Sequence, residues 1–247
     1  MVEVEQHLNR IIENDGAAHI TLIDPGSQSP NQAAIIAQAA MDGGTDVILL
    51  GGSIGADALL NQTILEIKKV IDIPTILFPS GAGGVSPHAD AIFFMSLLNS
   101  RNVEYITTNQ AMGAPLVHKY GIEPIPMAYL IVEPGGTVGW VGDAKLIPQN
   151  KPDIAAAYAL AGKYLGMRYT YLETGSGVDA PANPKMIQTV KQILGENKLI
   201  VGGGIRNGTI ARTCVEAGAD IIVTGTVIEK SNKVTSKIEE LVSAIKR

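Results

Sequence analysis

The chain has little cysteine and little charge. Cys214 is the only cysteine among its 247 residues, which excludes both an intrachain disulfide and a zinc site built from cysteines. Charged residues make up 17% of the chain, whereas about 25% is usual in soluble proteins. Because 46% of the residues are hydrophobic, the chain has too much apolar material to be disordered.

A basic excess and a long apolar run are also missing. The chain has 24 acidic and 19 basic residues, a formal charge of −5, which argues against a nucleic-acid partner. The densest apolar runs, Ala91–Leu98 and Ile125–Val132, fall far short of the ~18 residues of a membrane-spanning helix. The charged, amphipathic N-terminus predicts a helix and not a signal peptide. We expect a cytoplasmic protein without a transmembrane segment, able to make transient contact with a membrane surface.

Short β-branched runs alternate with stretches of helical period along the whole chain. The predicted strands are His19–Asp24, Asp46–Leu50, Pro74–Phe78, Ala91–Met95, Ile125–Val132, Arg168–Glu173, Lys198–Gly202 and Asp220–Gly225. The predicted helices are Asn31–Met41, Ala58–Val70, Pro152–Leu165, Pro184–Leu194, Thr209–Ala217 and Ser231–Lys246. Eight strands alternating with helices predict a parallel (β/α)8 barrel, formed by residues 1–247 as a single domain.

One step of this pattern is too short for a helix. The third and fourth predicted strands begin 17 residues apart, whereas a strand–helix–strand unit uses about 30. The connector 79–90 contains three glycines and two prolines, so we predict that the helix after strand three is missing or replaced. A doubly wound open sheet is the alternative fold, but its glycine fingerprint is absent because Asn207 stands where the last glycine should be.

Glycine clusters follow the last two predicted strands. Gly203 and Gly204 come after strand seven, and Gly225 and Thr226 after strand eight. Barrels often bind a phosphate at these two loops, because glycines allow backbone N–H groups to approach an anion closely. A phosphate cup is therefore the preferred interpretation, and plain tight turns are the alternative.

Acidic and hydroxyl side chains stand at other strand ends. Asp24 follows strand one and Ser53 follows strand two, and together they offer the hard oxygen ligands that Mg²⁺ prefers. A turn aspartate and a helix N-cap serine are the structural alternatives. Glu173 ends strand six, where partial burial would raise its pKa and suit it to act as a general base. Tyr171 points to the same side of that strand and can bind phosphate or belong to the core.

These motifs resemble the geranylgeranylglyceryl phosphate synthase family. The similar stretches are HITLIDP (19–25), TDVILLGGS (45–53), TILFPS (75–80), YLETGSG (171–177), VGGGI (201–205) and VTGT (223–226). The resemblance implies a modified (β/α)8 barrel with helix three replaced, and a homo-oligomer, either a dimer or a hexamer. It implies a prenyltransferase of ether phospholipid biosynthesis that joins geranylgeranyl diphosphate to the C3 hydroxyl of sn-glycerol 1-phosphate. The products are 3-O-geranylgeranyl-sn-glyceryl 1-phosphate and diphosphate.

The resemblance also assigns roles to the candidate residues. Asp24 and Ser53 would hold Mg²⁺, and Glu173 would take the proton from the attacking hydroxyl. The implied glycerol 1-phosphate site consists of Tyr171, Leu172, Glu173, Thr174, Gly175, Ser176, Gly177, Val178, Gly203, Gly204, Gly225 and Thr226. The prenyl tail would lie in a groove at the barrel mouth, covered by the 79–90 connector.

One departure from the family pattern concerns the metal site. Many relatives read Asp-Pro-Asp-Lys where this chain has Asp24, Pro25, Gly26 and Ser27, so no lysine there is assigned to the diphosphate. A synthase for longer prenyl chains is one alternative function. A phosphate-binding barrel isomerase or lyase, and a barrel that binds prenyl lipids without catalysis, are alternatives from other classes.

Overall fold

Eight parallel strands close into a barrel in their sequence order, as predicted. The protein is represented by a computed structural model, which describes residues 3–52, 59–229, 231 and 233–247. The strands are β1 (Ala18–Ile23), β2 (Val47–Leu50), β3 (Thr75–Leu77), β4 (Ala91–Leu97), β5 (Glu123–Ile131), β6 (Tyr169–Glu173), β7 (Lys198–Gly202) and β8 (Ile221–Thr224). Strand β8 pairs with β1, which closes the sheet.

Helices connect most of the strands on the outside of the barrel: α2 (Pro30–Asp42), α3 (Leu60–Ile67), α4 (Asn109–Tyr120), α5 (Gly136–Val141), α6 (Pro152–Tyr164), α7 (Pro184–Leu194) and α8 (Gly208–Glu216). Helix α1 (Val4–Asp15) precedes β1, and α9 (Thr226–Glu229) and α10 (Val234–Ile245) follow β8. The longest, α2 and α6, have 13 residues each. Within the described part of the chain, no helix has both the length and the apolar character needed to cross a membrane.

Two hydrophobic cores lie on opposite sides of the sheet. Alternate strand residues such as Tyr169 and Tyr171 point into the barrel, whereas Leu172 points outward to the layer between sheet and helices. Helix α1 packs its buried side chains against the interior core. The backbone N–H groups of its first turn donate to the Glu123 carboxylate at the start of β5. The amino-terminal end of the barrel is therefore covered by α1, and its carboxyl-terminal rim carries the polar strand ends.

The connection after β3 contains no full helix, which confirms the prediction made from the short spacing. A single 3₁₀ turn, Ala82–Gly84, stands in its place. The next connection contains a π-helical turn, Glu104–Thr108, followed by α4. Asn109, the first residue of α4, accepts a hydrogen bond from the backbone N–H of Ala82 at 3.3 Å. The replaced helix leaves space between β3, β4 and α4, and that space opens at the carboxyl-terminal rim.

Candidate active site

The predicted site residues that the structure describes lie at one end of the barrel. Asp24 directly follows β1, Glu173 ends β6, and Gly203 and Gly225 directly follow β7 and β8. Since all eight strands run parallel, their carboxyl ends form one rim, the end of a (β/α)8 barrel that carries active sites. The residues chosen from separate parts of the sequence are thus neighbours around one opening.

A cavity of about 530 Å³ lies over the ends of β6, β7 and β8. We call it the glycine-lined cavity. Its lining includes Tyr171, Glu173, Ser176, Gly177, Val178, Gly203, Gly204, Arg206, Gly225, Thr226 and Lys237. Most of the predicted glycerol phosphate residues therefore face one space.

Three residues of the predicted set do not line this cavity. Leu172 is buried in the core between the sheet and the helices, because residues of a strand alternate between its two faces. The Thr174 hydroxyl donates to the backbone carbonyl of Ala180 at 3.2 Å, and the Gly175 backbone N–H donates to the Glu173 carboxylate. Thr174 thus holds the loop after β6 in place, and Gly175 orients the Glu173 carboxylate, without facing the cavity themselves.

Glycine is required sterically where the β7 loop meets the β6 loop. Gly203 has φ of +80°, and a Cβ there would lie 2.6 Å from a carboxylate oxygen of Glu173. A Cβ on Gly204 would lie 2.2 Å from the backbone carbon of Ala180. The two loops approach each other so closely that only backbone fits between them, which exposes backbone groups and not side chains to a bound anion.

A second space of about 350 Å³ extends from the rim toward β3, β4 and α4. We call it the aromatic groove. Its apolar lining includes Phe78, Val85, Phe93, Phe94, Met95, Leu97, Tyr105, Val117, Tyr129, Val138 and Val141. The groove occupies the position of the replaced helix, and residues 79–82 and 85 of the predicted connector form part of its wall. A long apolar ligand would find mostly hydrocarbon and aromatic surface here.

The two spaces share part of their lining. Leu22, Glu173, Ser176, Gly225 and Thr226 line both. Among these five, Glu173 is the only ionisable side chain. A polar ligand in the glycine-lined cavity and an apolar ligand in the aromatic groove would therefore meet beside the Glu173 carboxylate.

Burial raises the pKa of Glu173 above the usual value for a glutamate. Only 7% of the residue is exposed, and removal from water disfavours the charged form of a carboxyl group. Hydrogen bonds from the backbone N–H of Gly175 and from the hydroxyls of Tyr171 and Tyr129 partly offset this effect, because they stabilise the carboxylate. The balance leaves an oriented carboxylate that accepts a proton more readily than an exposed one.

Three aromatic rings pack inside the barrel next to Glu173. Tyr129 and Tyr171 pair across β5 and β6, with ring centroids 5.2 Å apart in an edge-to-face arrangement. Phe78 stacks on Tyr171 at 5.6 Å. Burial, followed by the negative charge of Glu173, raises the pKa of both tyrosines well above its usual value, so their hydroxyls stay protonated and can donate. Tyr129 was not among the predicted residues, because its place depends on strand register.

Asp24 offers an anionic oxygen to the rim of the aromatic groove. Its carboxylate accepts hydrogen bonds from the Gly26 backbone N–H at 2.8 Å and from the Ser27 hydroxyl at 3.1 Å. A side chain at Gly52 would collide with this carboxylate. Ser53, the second predicted metal ligand, lies outside the described residues. No group of three or more His, Cys, Asp or Glu side chains that could enclose a metal occurs among those described.

A buried histidine supports the strand that leads into the Gly225 loop. The ring nitrogens of His19 lie 2.9 Å from the Thr45 hydroxyl and 3.0 Å from the hydroxyl of Thr224, the last residue of β8. Burial, with a smaller contribution from the nearby Lys246 charge, lowers the pKa of His19 from 6.5 to about 3. The ring is therefore neutral in the folded protein.

We expect the His19 pKa to make folding stability depend on pH. Unfolding would return the pKa of His19 to about 6.5. The unfolded chain then binds one more proton between these two pH values, and stability falls as the pH drops from about 6.5 toward 3. Thermal unfolding between pH 7 and 5 should show a smaller pH dependence for His19→Gln than for the unsubstituted protein. The exposed His118→Gln serves as the control, and equal slopes for all three proteins would contradict the assignment.

The chain matches the model of the PcrB family over residues 9–245. The geranylgeranylglyceryl phosphate synthases of Methanococcoides burtonii and Methanosarcina mazei are 67% and 66% identical to it, over the full length of both chains in each comparison. The crystal structure of the Thermoplasma acidophilum (S)-3-O-geranylgeranylglyceryl phosphate synthase, in complex with its substrate sn-glycerol-1-phosphate, superposes with a TM-score of 0.95 at 44% identity. This comparison covers 100% of the present chain and 99% of the other.

More distant structures share the barrel alone. An archaeal fructose 1,6-bisphosphate aldolase matches with a TM-score of 0.60 at 15% identity, over 96% of this chain and 98% of that one. Tryptophan synthase of Mycobacterium tuberculosis matches with a TM-score of 0.65 at 13% identity, over 99% and 98% of the respective chains. At such identities the likeness concerns architecture, and chemistry has to be argued from the site.

Proposed function

The chain belongs to the PcrB family, and we propose that it acts as a geranylgeranylglyceryl phosphate synthase, the name carried by the two relatives described above. The family resemblance predicted from the sequence motifs is confirmed by the family match and the full-length identities. The reaction joins geranylgeranyl diphosphate to the C3 hydroxyl of sn-glycerol 1-phosphate and releases diphosphate. The observation that carries this proposal is the meeting of a glycine-lined cavity and an aromatic groove at Glu173.

Each cavity suits one substrate. The glycerol phosphate would occupy the glycine-lined cavity, where glycine loops after β7 and β8 expose backbone to the phosphate. The prenyl tail would lie in the aromatic groove, where each buried methylene equivalent contributes about 0.8 kcal/mol. Because both spaces are fixed by the barrel rim, they would hold the C3 hydroxyl next to the allylic carbon, and such proximity lowers the barrier.

Glu173 is the proposed general base. As the C3 oxygen bonds to the allylic carbon, the C–O bond to diphosphate breaks and the hydroxyl proton passes to a Glu173 carboxylate oxygen. The Gly175 N–H and the two tyrosine hydroxyls orient that carboxylate. Its raised pKa brings its basicity closer to the working pH, which favours proton transfer. The apolar lining of the groove excludes water that would otherwise attack the electrophilic carbon.

Asp24 is the proposed protein ligand of Mg²⁺. Its carboxylate is a hard anionic oxygen at the groove rim, and Mg²⁺ is commonly bound through one or two carboxylates together with water and substrate phosphates. The donor chemistry therefore fits, and Ser53 remains a predicted second ligand. When bound, the ion neutralises charge that develops on the departing diphosphate.

The surroundings of the enzyme are also part of the proposal. We place it in the cytoplasm, a reducing compartment in which the single buried Cys214 stays reduced. We further propose a homo-oligomer. Trp140, of which 83% is exposed, and Tyr164, of which 79% is exposed, are large apolar side chains that a neighbouring subunit would cover.

The direct test is turnover of sn-glycerol 1-phosphate with prenyl diphosphates of ten, fifteen, twenty and twenty-five carbons, with and without Mg²⁺. We expect diphosphate release and ether product. Because an isoprene unit contributes about five methylene equivalents at ~0.8 kcal/mol each when buried, kcat/KM should fall at least about tenfold, and up to about 1000-fold for a fully buried unit, with each unit removed from geranylgeranyl. Equal rates for all chain lengths would contradict the assignment of the groove.

The same assay separates the alternatives. A higher kcat/KM with twenty-five carbons would indicate a synthase for longer chains. Binding of the prenyl diphosphate without turnover would indicate a lipid-binding barrel. Absence of diphosphate release, together with isomerisation or cleavage of a sugar phosphate, would indicate another class of barrel enzyme.

A further inference from the structure

The two cavities differ in the charges that line them. Arg206 and Lys237 line the glycine-lined cavity. The described residues that line the aromatic groove include the acids Asp24 and Glu173 but no lysine, arginine or histidine. Side-chain cations are therefore found on only one side of Glu173 in the described site.

Arg206 is fixed at the rim of the glycine-lined cavity by the β6 loop. Its Nη2 donates to the backbone carbonyls of Val178 at 2.9 Å and Gly177 at 3.3 Å, and to the Asp179 carboxylate at 2.7 Å. A guanidinium has five N–H donors on three nitrogens, so donors on the other nitrogens remain for a ligand. Because Asp179 is 97% exposed, its ion pair with Arg206 is weakened by water.

Lys237 faces the same cavity from α10. Its Nζ lies 2.7 Å from the Glu240 carboxylate, one turn further along that helix. The other Glu240 oxygen accepts a hydrogen bond from the Gly208 backbone N–H at 2.9 Å, at the start of α8. Glu240 thus lies between the Lys237 ammonium and the start of α8.

We propose that Arg206 and Lys237 bind the phosphomonoester of the glycerol substrate and direct it to the glycine-lined cavity. This inference rests on the proposed function and adds two side chains to the predicted backbone site. A phosphomonoester carries close to two negative charges near neutral pH, and here it would approach the Glu173 carboxylate. Neutral backbone amides leave that repulsion uncompensated, whereas two cations at the cavity rim balance it.

This distribution of charges also favours binding of each anionic substrate in a different cavity. A phosphomonoester gains two positive side chains in the glycine-lined cavity and meets only carboxylates among the charged side chains described in the aromatic groove. Its binding should therefore be independent of Mg²⁺. Like-charge contacts in the wrong site add to discrimination between ligands.

Isothermal titration calorimetry with sn-glycerol 1-phosphate in EDTA tests the proposal. We expect Kd to rise about tenfold in Arg206→Gln and in Lys237→Met, since each loses a charge-assisted contact. The salt dependence of Kd should become shallower in both variants, because one screened attraction is gone. Lys185→Met removes a charge from the exposed first turn of α7 and should leave Kd unchanged.

Two further variants distinguish binding from a merely structural role. Asp179→Asn and Glu240→Gln remove the partner charge but keep the cation. If the cations bind phosphate, these variants should bind sn-glycerol 1-phosphate as tightly as the unsubstituted protein or more tightly. If Arg206 and Lys237 only hold the loop and the helix, these variants should weaken binding in the same way as loss of the cations.

The outcomes separate this inference from the function on which it rests. Failure of the unsubstituted protein to bind sn-glycerol 1-phosphate would overturn the proposed function and the inference together. Binding by the unsubstituted protein, with the same Kd in Arg206→Gln, Lys237→Met and Lys185→Met, would overturn the inference alone. Weaker binding in Asp179→Asn and Glu240→Gln would also overturn it.

Discussion

Replacement of Glu173 by glutamine should lower kcat about 1000-fold while the affinity for sn-glycerol 1-phosphate changes little. General-base catalysis contributes about 100- to 10,000-fold in enzymes, and the amide cannot accept the hydroxyl proton. The glutamine has nearly the same shape, and its carbonyl oxygen can still accept the Gly175 N–H that the carboxylate accepts now. Steady-state kinetics and calorimetry measure the two quantities separately.

The neighbouring strand provides a matched control for this substitution. Glu133 follows β5, is exposed, and is absent from the described lining of both cavities. Glu133→Gln therefore makes the same chemical change a short distance from the site and should leave kcat unchanged. Similar kcat values for Glu173→Gln and Glu133→Gln would remove Glu173 as the proton acceptor.

The pH dependence of kcat offers a second check on Glu173. Burial raises the pKa of its carboxyl group, so the base becomes protonated, and inactive, at a higher pH than an exposed glutamate would. A phosphomonoester nearby would raise this pKa further, because like charges disfavour the ionised form. The fall of kcat on acidification should therefore begin above the usual titration range of glutamate, and Glu173→Gln should lack this limb.

The barrel itself was predictable because each strand carries a local signal. Lys198–Gly202 was predicted with the bounds that β7 has in the structure, since a short β-branched run ends there at glycines. Helix α4 was not predicted, because Gly113 and Pro115 interrupt its helical pattern. Tertiary contacts, including the Asn109 bond to Ala82, hold this segment where its propensity is weak.

Part of the site was predictable for a different reason. The local sequence shows that an acidic residue stands at the end of a predicted strand, so Glu173 could be identified before its surroundings were known. The depth of its burial and its contact with Tyr129 depend on the pairing of β5 with β6, which no local pattern specifies. Lys237 lines the cavity because α10 begins close to the rim, shortly after β8 and α9, and its sequence neighbourhood resembles that of any exposed helix.

Replacement of Asp24 by asparagine should reduce kcat/KM by about two to three orders of magnitude. This loss is expected at the Mg²⁺ concentration that saturates the unsubstituted protein. The reason is that loss of a metal contact removes several kcal/mol of charge stabilisation from the transition state. Asparagine retains an oxygen that can accept the Gly26 N–H, so the turn should persist. The anionic ligand is lost, and the described groove lining offers the diphosphate no side-chain cation in its place. Part of the activity should return as Mg²⁺ is raised.

Binding measurements show whether the loss concerns the metal or the fold. Inorganic pyrophosphate should bind the unsubstituted protein in the presence of Mg²⁺ and not in EDTA, and Asp24→Asn should abolish this difference. Ser27→Ala removes the hydroxyl contact at 3.1 Å but keeps the carboxylate, so it should retain the Mg²⁺ response. Affinity for sn-glycerol 1-phosphate, measured without metal, should be the same in all three proteins. If Asp24→Asn responded to Mg²⁺ as the unsubstituted protein does, the metal would have to be held by other residues. The role of Asp24 would then be structural, as the hydrogen-bond acceptor for Gly26 and Ser27 in the turn after β1.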